Sequence, residues 1–329
     1  RSRRTLIGIV SLALLATLAA LPAAPAGAKK YDAGKATVVR ELEDLRTATS
    51  ATYLLSNGLR RTKVSSTPIH FKDKNGTWRE FDAALVPSTE SGVFTAKALP
   101  FGLGLAAEPA GGSAATLYSG GYAVGFALEG EAEKAGSASG STMTYAGVAE
   151  GASSSYEVLP GGLEQKLTLT SSSAPNTYTT VVTHPGLELR ADKAGTFGFY
   201  ARGQKDPLLA LSSLTVFDSA KGAGELPAFC DEAKMTVKPG AGISTLTYSV
   251  PEEWLADPAR VYPVTIDPMA YFPTYYAATD TSVRSASPNT SYGTQANLTV
   301  GPDGAGYWRS LVRFDLSQIP SDAFVYVTS

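Results

Sequence analysis

The chain has little of what metal and redox chemistry draws on: one cysteine, Cys230, two histidines, His70 and His184, and three methionines in 329 residues. One thiol cannot close an intramolecular disulfide, and Cys230 reads as a small buried hydrophobe rather than a nucleophile. The cysteine and the two distant histidines offer no ligand pair at zinc spacing, so neither a metal nor any other cofactor is expected. Neither histidine lies in a nucleophile motif, and no G-x-S-x-G elbow is present. Past Lys29-Lys30 no basic run is longer than the pair Arg60-Arg61, and the formal net charge is -2, so nucleic acid is not an expected partner. After residue 28 no segment is long and apolar enough to span a membrane, so no stable span is expected.

The start of the chain is different. Arg1, Arg3 and Arg4 precede LIGIVSLALLATLAALPAA, and Ala26-Gly27-Ala28 comes after it. A basic region, an apolar region and a small-residue cleavage site are the order of a secretory signal peptide, assigned to residues 1–28. A secreted, extracellular protein is therefore expected, with wall association open. Loss of the three arginines takes the net charge to -5. Roughly 300 mature residues suffice for a large core without staples, and two domains are the natural expectation.

Residues 29–50 read as a short helix and linker, because Val38, Val39, Leu42 and Leu45 fall at helical spacing between charged residues. From residue 51 the period becomes two, and a β-rich scaffold domain is expected over 51–268. Ser56-Asn57-Gly58 and Lys74-Asn75-Gly76 are turn signals. The second predicts a hairpin whose buried face carries Ile69, Phe71, Trp78 and Phe81. Ala/Gly/Ser-rich tracts between 106 and 155 read as loops joining thin strands, since they bury little apolar surface against their ordering entropy. Pro251 to Leu255 predicts one helical turn. The strand from Val261 ends at Pro268, where the domain boundary is placed.

The second region, 269–329, alternates in short pieces: Thr281-Val283, Leu298-Val300, Ser310-Leu316 and Val325-Val327. The stretches WLADPARVYPVTIDP and STPIHFKDKNGTWREFDAAL resemble the amino-terminal region of secreted, wall-associated bacterial proteins of the Rhs/YD-repeat type. ATDTSVRSASPNTSYGTQANLTVG followed by YWRSLVRFDLSQIPSDA resembles the DNRLRE domain, similar to carbohydrate-binding module family 96. That resemblance implies a jelly-roll-like β-sandwich, of which 269–329 supplies the amino-terminal part. About eight strands complete such a fold, so four mark it as incomplete. The expected fold class is mostly β throughout.

The function these features imply is that of a non-catalytic surface or wall-associated segment carrying a glycan-binding module. Its partner would be a polysaccharide, with acidic and cell-wall glycans among the candidates. Two alternatives stay open: an accessory region of a polysaccharide-active enzyme with its catalytic domain downstream, or the amino-terminal shell of a polymorphic toxin. Along 307–316 the alternation sends Trp308, Ser310, Val312, Phe314 and Leu316 to one face and Tyr307, Arg309, Leu311, Arg313 and Asp315 to the other. Tyr307, Arg309 and Arg313 are the glycan-binding candidates, since guanidinium forks match carboxylates. Asn289 and Tyr292, on the loop between the first two strands, are the second group. Asp73-Lys74-Asn75-Gly76 begins like a calcium loop but lacks the later oxygen ligands, and a turn accounts for it. At Asp303-Gly304 a turn and a calcium site both remain. Tyr271, Phe272, Tyr275 and Tyr276 read either as an interdomain seam or as flat faces for sugars.

Overall fold

A computed structural model describes residues 36–65, 68–193, 195–220, 227–273, 279–290, 292 and 298–313. The signal assignment, Tyr275, Tyr276 and the strand expected at Val325-Val327 lie outside the described residues. The chain is mostly β, as expected, and divides into two compact units, Thr67–Ala277 and a unit of Arg1–Ser66 with Ala278–Ser329.

β1 (Val38–Glu41), β2 (Ser50–Leu55) and β3 (Arg60–Val64) form an antiparallel sheet in that order. The helix expected over this start is replaced by β1 and a single 3-10 turn at Glu43–Leu45. β-Branched Val38 and Val39 prefer extended backbone, and β1 pairs with β2, Arg40 opposite Leu54. Of the four apolar residues only Leu42 is buried; Val39 is 59 % exposed. Ser56-Asn57-Gly58 makes the expected turn, with Leu59 N donating to Asn57 Oδ1 at 3.1 Å.

β4 (His70–Lys72) and β5 (Trp78–Glu80) form the predicted hairpin, but one residue out of the expected register. Asp73 N donates to Thr77 O and Gly76 N to Asp73 O, so the loop holds three residues with Gly76 at φ +79. Trp78 therefore pairs with Lys72, and Phe71 with Arg79. Trp78 shares the face of Lys72 and His70, not that of Phe71, whose ring packs on Phe81 at 5.2 Å. The same device recurs in DKAGTF: Asp192 N donates to Thr196 O, and Gly195 N to Asp192 O.

β6 (Asp82–Pro87), β7 (Val93–Ala98), β8 (Gly102–Ala106), β9 (Ala115–Ser119) and β10 (Tyr122–Leu128) form a meander. The chain then crosses to a second sheet with β11 (Gly136–Ser139), β12 (Thr142–Ala149), β13 (Ala152–Leu159) and β14 (Gly162–Leu169). β15 (Thr177–Thr183) returns beside β10. β16 (Leu187–Ala191), β17 (Phe197–Ala201), β18 (Leu209–Leu211) and β19 (Thr215–Phe217) go back to the second sheet. β20 (Lys234–Lys238) and β21 (Ile243–Ser249) complete the first sheet, ordered β20-β21-β15-β10-β9-β8-β7-β6. The expected helical turn, α1 (Glu252–Leu255), leads to β22 (Val264–Asp267) and β23 (Met269–Tyr271). β23 joins β14 to β18, giving the order β11-β12-β13-β14-β23-β18-β17-β16, while β22 pairs with β14 and β19.

The two sheets enclose one core. Leu105, Phe126, Val182 and Leu246 face it from the first sheet, and Tyr145, Leu167, Phe199 and Ile266 from the second, all at most 4 % exposed. Much of the Ala/Gly/Ser-rich tract is strand rather than loop. Met143, Tyr145, Tyr156 and Val158 alternate inward along β12 and β13 and supply the burial that the average composition conceals. The expected boundary at Pro268 also moves. Pro268 O accepts from Gln165 N inside the second sheet, and Phe272, 5 % exposed, stacks on Phe101 at 4.5 Å. Tyr271 and Phe272 thus belong to the large unit's own sheet and core.

β24 (Thr279–Arg284), β25 (Gly301–Pro302) and β26 (Tyr307–Arg313) form an antiparallel sheet with β26 in the middle. The strand expected at Leu298-Val300 is not one. Thr299 N donates to Ser282 Oγ at 2.9 Å and Thr299 O accepts from Ser310 Oγ at 3.0 Å, so hydroxyls hold it where a ladder would.

Candidate functional site

Register decides which residues of the small sheet lie together. Val283 is opposite Arg309 and Thr281 opposite Leu311, and residues directly opposite share a face. Tyr307 is 66 % exposed, Leu311 54 % and Val283 38 %, and Arg309 is exposed beside them. The expected alternation is thus present for Tyr307 to Leu311: this face is open, while Trp308 and Ser310 are half-buried on the other. Arg313 is opposite Thr279 on the same ladder, and its side chain lies outside the described residues.

The opposite face is organised by Asp303. Its Oδ1 accepts from Ala305 N at 3.0 Å and Gly306 N at 2.9 Å; its Oδ2 accepts from Arg284 Nε at 2.6 Å and Trp308 Nε1 at 2.7 Å. The bond from Arg284, then the backbone and indole donors, hold this carboxyl well below the usual carboxylate range. Four donors, one a guanidinium, occupy the oxygens a calcium ion would need, so Asp303 is the anchor of a turn. Tyr292 stands edge-on to Trp308 at 4.7 Å, which places it on this face, away from Tyr307 and Arg309. Asn289 is exposed in the turn before it. Tyr292 is therefore on the face of the sheet opposite Tyr307 and Arg309.

In the large unit a line of polar side chains crosses the core. Tyr156 donates to Glu131 Oε2 at 3.0 Å, Gln165 Nε2 to Tyr156 Oη at 3.1 Å, and Tyr248 Oη to Gln165 Oε1 at 3.2 Å. Leu128 N also donates to Glu131 Oε2. Glu131 is 1 % exposed, and burial pushes its carboxyl up to about 7 against the opposing effect of Ser154, Leu128 and Tyr156. Oε1 of Glu131 and Oγ of Ser154 find no partner of hydrogen-bond geometry among the described residues. A cavity of about 20 Å³, the space of one water, adjoins Tyr156, Gln165 and Tyr248.

Two more arrangements escaped the sequence. Lys166 Nζ bridges Glu157 at 2.7 Å and Glu164 at 2.5 Å. Beside them burial, then the Glu164 carboxylate, push Asp267 up to about 7. Paired carboxyls beside a lysine are the raw material of acid–base work, assembled here from the β13–β14 hairpin and the distant strand β22. On the first sheet's outer face, an open groove of about 620 Å³ lies over β8 between Glu90, Glu108 and Tyr118. His184 is 0 % exposed, its Nδ1 donating to Leu187 O at 3.0 Å and its Nε2 accepting from Ser244 at 2.7 Å, which ties β15 to β21. Among the described residues no group of three His, Cys, Asp or Glu is placed to hold a metal ion, and no helix is long and apolar enough to cross a membrane.

Comparison with known protein families, with curated proteins and with solved structures finds no match.

Proposed function

We propose that the chain is a secreted, non-catalytic segment of a surface or wall-associated protein, and that it binds polysaccharide through the open face of β26. The observation that carries this reading is Tyr307, two-thirds exposed beside Arg309 and Leu311 on a regular strand. Scattered apolar side chains on a surface need no explanation, whereas a contiguous exposed set with an aromatic ring marks an interaction face. A ring offers a flat apolar surface with a polar tip, and Arg309 adds a fork suited to the carboxylate of a uronic acid. The Asp303 anchor on the opposite face holds Trp308 and Arg284, so binding would order little that is not already ordered. The resemblance of this region to the DNRLRE domain points the same way.

The test is binding of the full chain to neutral and uronate-containing polysaccharides. Tyr307→Ala and Arg309→Ala are expected to weaken binding of the acidic glycan about tenfold each, a little over 1 kcal/mol. Added salt should weaken wild-type binding, and thermal stability should change little. Unchanged affinity in both variants refutes the assignment and leaves Arg309 as a surface charge worth about 0 to 1 kcal/mol in any pair it makes.

A further inference from the structure

β8 reads Gly102-Leu103-Gly104-Leu105-Ala106. The leucines point into the core, at 6 % and 0 % exposure, so two glycines and an alanine pave the outer face. Glycine weakens a strand interior, and where it recurs it marks close approach by something else. At Gly102 the cause is visible: an added Cβ would stand 2.9 Å from Tyr118 Cβ. At Gly104 no such cause exists. A Cβ there would meet Val93 at 3.4 Å and the Tyr118 ring at 3.7 Å, ordinary contacts. Packing requires Gly102 but not Gly104.

Gly104 lies on the floor of the groove over β8, between Val93 and the Tyr118 ring. Tyr118, 46 % exposed, lies along one side and Val93 along another, with Thr116 on the floor opposite Gly104. Glu90, from the β6–β7 turn, and Glu108, after β8, line it as well. Both are exposed, neither makes an ion pair among the described residues, and no cationic side chain lines the groove. The site therefore combines a partly bared ring, a threonine hydroxyl and two uncompensated carboxylates around a glycine floor.

We infer that this groove binds an amino sugar, a saccharide with free ammonium groups, stacked on Tyr118 and paired with Glu90 and Glu108. The site has the opposite charge to the β26 face and does not rest on the reading given for that face. A ring platform selects the apolar face of a pyranose, and two unpaired carboxylates at the walls favour a cation and repel a uronate.

The experiment titrates the full chain with a glucosamine tetramer, its N-acetylated counterpart and a neutral glucose tetramer. The glucosamine tetramer is expected to bind at least about tenfold more tightly than the other two, with affinity falling as salt rises. Glu90→Gln with Glu108→Gln should remove that preference, and Tyr118→Ala should weaken all binding. Gly104→Thr should abolish binding, and Gly104→Ala, whose Cβ meets only ordinary contacts, should weaken it while leaving the unfolding midpoint unchanged or higher. Arg309→Ala should leave glucosamine binding untouched, which separates this site from the β26 face. Absence of saturable glucosamine binding overturns the inference. Equal affinity for the neutral tetramer overturns it too, as does full affinity in a folded Gly104→Thr protein.

Discussion

At Glu131 a carboxyl stands 1 % exposed with one oxygen satisfied and the other without a partner among the described residues. Its carboxyl lies near 7 in the folded chain against an ordinary 4.5. Below 4.5 both folded and unfolded states hold the proton, and Glu131 contributes nothing to pH dependence. Between 4.5 and 7 the unfolded chain releases the proton while the folded chain keeps it, so stability falls as pH rises; the loss levels off above 7 at roughly 3 kcal/mol. Asp267, also raised to about 7, acts in the same direction. Glu131→Gln keeps an oxygen for Tyr156 and Leu128 and places an amide donor beside Ser154. The variant should match the parent at pH 4.5 and exceed it at pH 8, as read by urea unfolding. An unchanged difference between the two pH values would show that Glu131 is ionised in the fold. Nothing in the neighbourhood of Glu131 in sequence marks this residue as buried; the line that runs from it through Tyr156, Gln165 and Tyr248 draws on three strands of two sheets.

Hairpins show how a single turn sets which side chains are inside. In both DKNGTW and DKAGTF an aspartate accepts backbone N–H from the residue four on, and a glycine with φ near +80 closes the loop. Open space surrounds Gly76 and Gly195, so a methyl group there meets no atom, and only the left-handed backbone resists it. Gly76→Ala and Gly195→Ala are each expected to cost about 1 kcal/mol in denaturant unfolding. Gly104→Ala, in extended backbone, should cost nothing or stabilise. Equal losses at all three positions would contradict the distinction between turn and floor. Period-two alternation was readable in most strands, including the open face of Tyr307, Arg309 and Leu311, because one strand contains the whole pattern. Register was less so: Asn75-Gly76 signals a turn but not whether two or three residues fill it, and the difference turned Trp78 to the other face. The helical spacing of Val38 to Leu45 misled because those residues are mostly exposed, so spacing had no buried face to serve. The β8 groove was illegible for a related reason, since Glu90, Gly104, Thr116 and Tyr118 are brought together only by pairing across strands.

For the large unit taken whole, β23 joins the two halves of the second sheet, and this is why its boundary lies past Phe272 rather than at Pro268. A chain of residues 68–273 is expected to unfold cooperatively by itself. One ending at Asp267 should lose about 4 kcal/mol or more, since burial of Ala270 and Phe272 goes with the strand between β14 and β18. Equal unfolding midpoints in urea for the two would show that β23 is an ornament of the sheet.

That same strand has a consequence in time. Leu163 waits for Ala270, and Leu167 for Ile266, so the edge of β14 that does not pair with β13 stays open until nearly the whole unit has been made. The entropy of closing so long a loop grows only as a logarithm and costs little at equilibrium, but pairings this distant slow the search for the native state. During synthesis β14 presents a bare edge that no nearby segment satisfies, which exposes the chain to mispairing. If the chain leaves the cell as proposed, this late pairing would keep it threadable until β23 has passed.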